Sequence, residues 1–231
     1  MSSAEQRGRR AVIRDALAIG VAVAAYGVSF GAAAAAAGLS VAQTSAMSLL
    51  IFTGGSQFAL VGVLGAGGGA LAGIAGALLL GTRNTLYAVR LSDLLRLGGA
   101  RRVLAAQLTI DETTAMATAA PKRLAATAFW ATGIAIYVMW NLATVLGALG
   151  AARVDTDALG LDAAVGAAFL GLVGPRLRER DGWRIALGGA LLAMAAVPFT
   201  PAGVPVLLAG LAVLPFLRGG RASRPTTVDR R

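Results

Sequence analysis

Three short stretches set polar side chains inside otherwise apolar sequence, where each polar group needs a partner or a purpose. The first is Gly54-Gly55-Ser56-Gln57-Phe58, within an apolar segment over residues 41–64. Two adjacent glycines weaken a helix, each costing about 1 kcal/mol against alanine. A spanning helix interrupted halfway, with polar residues at the interruption, is how secondary transporters expose backbone groups to substrate. The alternative is a kinked helix whose glycines only permit close packing, with Ser56 and Gln57 bonding to neighbouring helices. The second stretch is Arg83-Asn84-Thr85-Leu86-Tyr87. Arg83, Tyr87 and Arg90 fall on one helical face. Arginine at membrane depth is costly and functional by default, the alternative being a side chain that snorkels from a helix end. The third is Asp111-Glu112 in the apolar stretch over 103–120. A carboxylate there can carry a proton, or pair with an arginine or a substrate ammonium. Alternatively the two acids open a helix, where they suit the dipole.

Together these stretches hold donors for a carboxylate (free N–H groups at the break, Gln57, Arg83) and acceptors for an ammonium (freed carbonyls, Asp111 or Glu112). Phe58 and the aliphatic faces offer an apolar wall. Other chemistry is excluded by composition. The chain has no cysteine and no histidine, which removes disulfides, thiolate and ordinary zinc sites, and the usual base of a serine triad. The Gly67-Gly68-Gly69 cluster is followed by no Gly-Lys-Ser/Thr and is not a nucleotide loop. No cofactor is indicated.

The elements that position these groups are membrane helices. Of 231 residues, 57% are hydrophobic and 14% charged, against about 25% charged in soluble domains; mean hydropathy is +0.72. The net charge of +10 sits in short arginine clusters between apolar runs, as the positive-inside rule expects. No basic–aromatic interleaving suggests nucleic acid. The sequence predicts an all-α integral membrane protein, a bundle of six or seven transmembrane helices, some broken or re-entrant. Residues 1–14 form a basic cytoplasmic N-terminus, 15–217 the transmembrane domain, and 218–231 a disordered basic tail.

The first span covers 12–37, with Gly27 and Gly31 making a small-residue packing face or, alternatively, lining a substrate path. The apolar run 70–80 is too short to cross alone and becomes long enough only by continuing through Arg83 and Asn84 to Tyr87. Charges then conflict with a simple span count, since three full spans would put Arg90–Arg102 outside. Either 42–87 is one crossing plus a re-entrant or half helix, or 103–120 is a span that breaks the rule once. Further spans run over 124–149, 161–173, 185–197 and 204–217. Asp155, Asp157 and Asp162 mark an outside loop, and Asn141 is expected to bond between helices.

In this order and spacing, the motifs resemble those of the AzlC family of branched-chain amino acid permeases, over about residues 16–217. Gly54-Gly55-Ser56-Gln57-Phe58 is similar to the family's Gly-Ala-Ser-Gln-Phe, with Gly55 in the alanine position. Arg83-Asn84-Thr85-Leu86-Tyr87-Ala88 is similar to Arg-His-x-Leu-Tyr-Gly, with Asn84 replacing histidine and Ala88 glycine. Asp111-Glu112 looks like the end of Thr-Asp-Glu, with Ile110 in the threonine position. The resemblance implies an exporter of branched-chain amino acids in the plasma membrane, working with a small AzlD-type membrane subunit. An amide does not titrate near neutral pH, so any proton coupling falls to Asp111 or Glu112. The reading is a secondary transporter rather than an enzyme. A passive channel or an intramembrane enzyme using Asp111 and Glu112 are the alternatives.

Overall fold

A computed structural model describes residues 3–151, 170, 174, 176–179, 181–201 and 203–217. Helices and short 3-10 turns make up the fold, and no strand occurs among the described residues. The chain divides into two compact units, Met1–Leu172 and Val173–Arg231.

The first unit is built on two long helices in backbone contact. Helix α1 (Ser3–Ala36) and helix α7 (Ala125–Ala151) are each long and apolar enough to cross a membrane. They run parallel. Gly8 faces Leu124, Gly20 faces Ala135 and Met139, Gly27 faces Trp140, and Gly31 faces Thr144 and Ala148. A Cβ at Gly31 would lie 2.7 Å from Ala148 N, and one at Gly147 would lie 2.9 Å from Val28 C. No side chain larger than hydrogen fits either place. Small residues are how membrane helices gain van der Waals contact, because lipid supplies no hydrophobic drive between them. The Gly27–Gly31 face is thus a packing face rather than a substrate path.

Between these helices the chain makes two hairpins that turn back instead of crossing. Helix α1 ends at a turn containing Gly38 (φ +83°). Helix α2 (Val41–Leu50) restarts through a capping box: the Ser40 hydroxyl accepts from Gln43 N–H at 3.2 Å, and Gln43 Oε1 accepts from Ser40 N–H at 2.9 Å. After Ile51-Phe52-Thr53 the chain enters helix α3 (Gly54–Gly65). Ser48 meets Thr144, Tyr137 meets Leu49, Gly54 meets Trp140, and Gly65 returns to Ala37. Helix α2 therefore descends to mid-height on α7 and α3 climbs back to the end where it began. This is the re-entrant alternative. The interruption is placed one step before the glycines, which form the first turn of α3. That is consistent physically: Ile-Phe-Thr favours extended backbone, and the first turn of a helix lacks N–H partners in any case.

A turn at Gly67 (φ +75°) leads into helix α4 (Ala70–Leu95). At 26 residues it is about 39 Å long and passes through Arg83 and Tyr87 without a break. It runs antiparallel to α3, with Gly73 against Leu60 and the Ser56 hydroxyl donating to Ala77 O at 2.7 Å. Arg96 (φ 47°) ends it in the left-handed region.

The segment 103–120, weighed above as one span, is two helices, α5 (Gly99–Gln107) and α6 (Asp111–Ala119), of nine residues each. Neither, at about 14 Å, can cross a bilayer. Leu108 and Thr113 pack on Gly133 of α7, and the segment returns to Leu124 at the end holding Gly8. The second hairpin therefore enters from the end opposite to the first. The basic N-terminus, Arg101, Arg102, Lys122 and Arg123 share one end, which removes the charge conflict in the sequence.

In the second unit, helix α8 (Gly182–Ala196) packs Gly189 on Ala209 and Gly188 on Ala212. The expected span 204–217 is interrupted as helix α9 (Val204–Ala209), a 3-10 segment Gly210–Val213 and a last turn Leu214–Leu217. Pro215 brings no N–H to continue the ladder. The expected acidic loop at Asp155, Asp157 and Asp162, the tail from 218, and the span over 161–173 apart from Leu170 lie outside the described residues.

Candidate functional site

The tips of the two hairpins meet at the middle of α7. Tip one (Ile51–Thr53) places Phe52 edge-on to Tyr137, ring centroids 4.9 Å apart. Tip two (Leu108–Ile110) packs on Gly133. Gln107 Nε2 joins them, donating to Leu49 O at 3.0 Å and lying 3.4 Å from Leu50 O. Tyr137 Oη donates to Leu49 O at 3.1 Å. A helix that stops inside a bundle leaves its last carbonyls without partners, and these two side chains supply the donors. The freed carbonyls proposed above as ammonium acceptors are thus occupied at Leu49 and Leu50.

Beyond each tip a helix begins, so α3 and α6 both point their N-termini at the centre. Helix α4 runs past the start of α3, and there its polar face arrives. Arg83 Nη2 lies 2.8 Å from Asp111 Oδ2. Tyr87 Oη donates to Asp111 Oδ1 at 2.5 Å. The same guanidinium lies over Gly55, where an added Cβ would sit 3.3 Å from Nη2. One residue from each motif, Gly55, Arg83 with Tyr87, and Asp111, is therefore in direct contact. The Arg83 and Asp111 side chains remain 44% and 37% exposed, so the cluster is accessible from one side. Helix register brings Arg83 and Tyr87 together, being four residues apart. Asp111 opens α6, where a carboxylate is favoured by the helix dipole; the end-capping alternative and the ion pair hold together.

Ile110 at the cap position of α6 has no acceptor atom. No side chain caps the first-turn N–H groups, and the tip is closed by Thr113 instead: its Oγ1 accepts from the N–H of Ile110 itself at 3.0 Å and lies 2.8 Å from Leu108 O. The departure at Ile110 therefore leaves the tip closed by another hydroxyl.

The remaining predicted residues sit around this cluster. Gly54 lies under Trp140, with an added Cβ 3.2 Å from Cη2. Ser56 is committed to Ala77 O. Gln57 is fully buried, and neither atom of its amide has a hydrogen-bond partner among the described residues. Asn84 Oδ1 and Trp140 Nε1 are likewise buried without a partner. Phe58 is 1% exposed and edge-on to Phe30 at 5.6 Å, with Phe30 stacked on Trp140 at 6.1 Å; it supports the tip from within the core. Glu112 is half-buried beside Asp111 and makes no ion pair among those described. Asn141 does not bond between helices: its Nδ2 donates to Tyr137 O on its own helix at 2.8 Å. The residues that sequence reasoning missed are Gln107, Tyr137 and Thr113. No spacing signal marks Gln107 or Tyr137, because they meet Leu49 across 58 and 88 residues.

No metal-ligating group of three or more acidic residues occurs among the described residues. No curated protein and no solved structure matches the chain. A family model described as AzlC protein matches residues 18–154. That match takes in all three motifs, α1 from residue 18 onward and helices α2 to α7, but not residues 155–217, to which the motif resemblance had been extended. With 137 of 231 residues matched and long apolar helices on either side of the hairpins, the chain is a transport-related membrane protein and belongs to the AzlC family.

Proposed function

We propose that this chain is a secondary transporter that exports branched-chain or other small apolar amino acids across the plasma membrane. The observation that carries this reading is the cluster at the meeting of the two hairpins. Arg83 and Tyr87 hold a carboxylate there, beside the N-terminal turn of α3. A substrate carboxylate is received by Arg83, Tyr87 and the N–H groups of Gly54 and Gly55, where charge and dipole both favour an anion. Its ammonium is received by Asp111 or Glu112. Gln57, whose buried amide lacks a partner, gains one when substrate or ordered water enters. Because Asn84 cannot titrate, coupling to the proton gradient passes through the carboxylates.

The chain moves solute and catalyses no reaction. The basic end lies in the cytoplasm, following the positive-inside rule. A small AzlD-type membrane subunit works with it. The outward apolar side chains of α4, such as Leu71 and Leu78, exposed at 83% and 68%, are available to lipid or to that subunit.

Efflux of labelled valine from cells producing the chain with its small partner tests the reading. Wild type is expected to export, while Gln57→Ala, Arg83→Ala and Asp111→Asn reach the membrane and fail. Normal export by the three variants would reduce the motifs to packing and topology.

A further inference from the structure

Arg83 and Tyr87 form a seat for a carboxylate, and in this structure the protein's own carboxylate fills it. Asp111 offers both oxygens, Oδ2 to Arg83 Nη2 at 2.8 Å and Oδ1 to Tyr87 Oη at 2.5 Å. Both charged side chains are partly exposed, so the pair can be opened without unfolding the core. Gly55 also lies against the guanidinium, and a ligand carboxylate that is to take Arg83 and Tyr87 together must take the place that Asp111 holds.

From this geometry we infer that Asp111 is a specificity-determining residue: an internal competitor that admits a zwitterion and rejects the corresponding simple carboxylic acid. The inference rests on the reading that Arg83 receives the substrate carboxylate.

Charge pairing sets the discrimination. An incoming carboxylate must displace Asp111 from Arg83 and Tyr87. A simple carboxylate takes the seat and leaves Asp111 ionised, half-buried and beside the second acid, Glu112. Nothing then offsets the lost pairing. An amino acid brings its own cation. Its carboxylate takes Arg83 and Tyr87 while its ammonium pairs with the released Asp111, so two ion pairs replace one and no charge is left over. The apolar side chain contributes equally to both ligands and cannot discriminate between them. Removing the competing charge therefore has opposite effects on the two: the carboxylic acid gains a vacant seat, and the amino acid loses its ammonium acceptor.

The test is binding to the purified full chain in detergent, with valine and with 3-methylbutanoate, which is valine without its amino group. Wild type is expected to bind valine about five- to tenfold more tightly than 3-methylbutanoate, a discrimination between those of an exposed and of a buried charge pair. In Asp111→Asn and Asp111→Ala the preference is expected to vanish or reverse, with 3-methylbutanoate bound more tightly than by wild type. Arg83→Gln should bind neither. The two Asp111 variants are judged separately, by size-exclusion profile and thermal unfolding, so one that fails to fold leaves the other decisive. An unchanged preference in a folded Asp111 variant overturns the inference and leaves the transporter reading standing. If wild type binds no apolar amino acid but an Asp111 variant gains 3-methylbutanoate, the transporter reading falls and Asp111 stands as occupant of the seat. If no form binds either compound, Arg83 is no carboxylate seat and the inference is overturned.

Discussion

The contact between α1 and α7 gives a prediction with a built-in control. Alanine at Gly31 would carry its Cβ to 2.7 Å from Ala148 N and 2.9 Å from Thr144 C, and closer still to Thr144 O. These are backbone atoms, so no rotamer change relieves them. Restoring a contact of 3.4 Å requires the helices to part by 0.7 Å or more, the difference between that contact and the shorter distance. Overpacking of this kind costs about 3 kcal/mol where neighbours cannot yield. The better helix propensity of alanine returns about 1 kcal/mol, leaving Gly31→Ala destabilised by roughly 2 kcal/mol. Gly150 is also within α7, but an added Cβ there meets nothing within 4 Å. Gly150→Ala should show only the propensity gain, about 1 kcal/mol. The gap between the two variants is about 3 kcal/mol, or roughly 6–12 °C in unfolding midpoint for a chain of this size. Tryptophan fluorescence during thermal unfolding in detergent measures it, since Trp140 lies on the same interface. Parting the helices also shifts Trp140 from Gly54, so valine efflux should fall in Gly31→Ala alone. Midpoints of the two variants within a degree or two of each other would refute close backbone contact between α1 and α7.

Other expectations follow from the hairpin tips. Gln107→Leu and Tyr137→Phe each remove one donor from the Leu49 carbonyl, at about 0.5–1.5 kcal/mol per bond. The double variant should lose more than the sum in thermal unfolding, because only then is the carbonyl unpaired; strict additivity would show that the two donors do not share it. Gly55→Ala places a methyl 3.3 Å from the movable end of Arg83 and should keep efflux, whereas Gly55→Leu displaces the guanidinium from Asp111 and should abolish it; equal efflux from both would separate Arg83 from the site. The natural chain has no cysteine, so single cysteines report sidedness directly. Ala66→Cys, between α3 and α4, and Ala100→Cys, near the start of α5, should react with an impermeant maleimide from opposite faces of the membrane. Labelling from the same face would contradict a membrane crossing by α4.

What the sequence made legible was the class of fold and which polar groups to watch, because both follow from local facts. Arg83 and Tyr87 share a face by helix geometry alone, and Gly54-Gly55 marks a weak point whether the chain breaks at the glycines or beside them. The path of the chain was not legible, because re-entry depends on distant contacts. Residues 41–64 are apolar and long enough to read as one span, and what turns them back is Gln107 and Tyr137 capping Leu49 and Leu50 from remote positions. The same applies to 103–120, where hydroxyls of Thr109 and Thr113 close a tip that periodicity cannot distinguish from helix. With the tips in place, an order emerges that no motif displays. Helices α1, α2 and α3 begin at 3, 41 and 54, and α4, α5 and α6 at 70, 99 and 111. The hairpin helices thus recur at offsets of 58 and 57 residues, in the opposite sense across the bundle. A long helix and a hairpin from one end are followed by a long helix and a hairpin from the other. Such an arrangement brings two helix N-termini to one central point, each favouring negative charge. Asp111 supplies that charge at one N-terminus. At the other the residues are glycines, which bring no charge of their own, and Arg83 lies against them. The asymmetry between Gly54-Gly55 and Asp111-Glu112, at matching positions of the two hairpins, leaves α3 open to an anion and gives α6 an acceptor for a cation, which is the division of roles that the proposed function requires of a carboxylate and an ammonium.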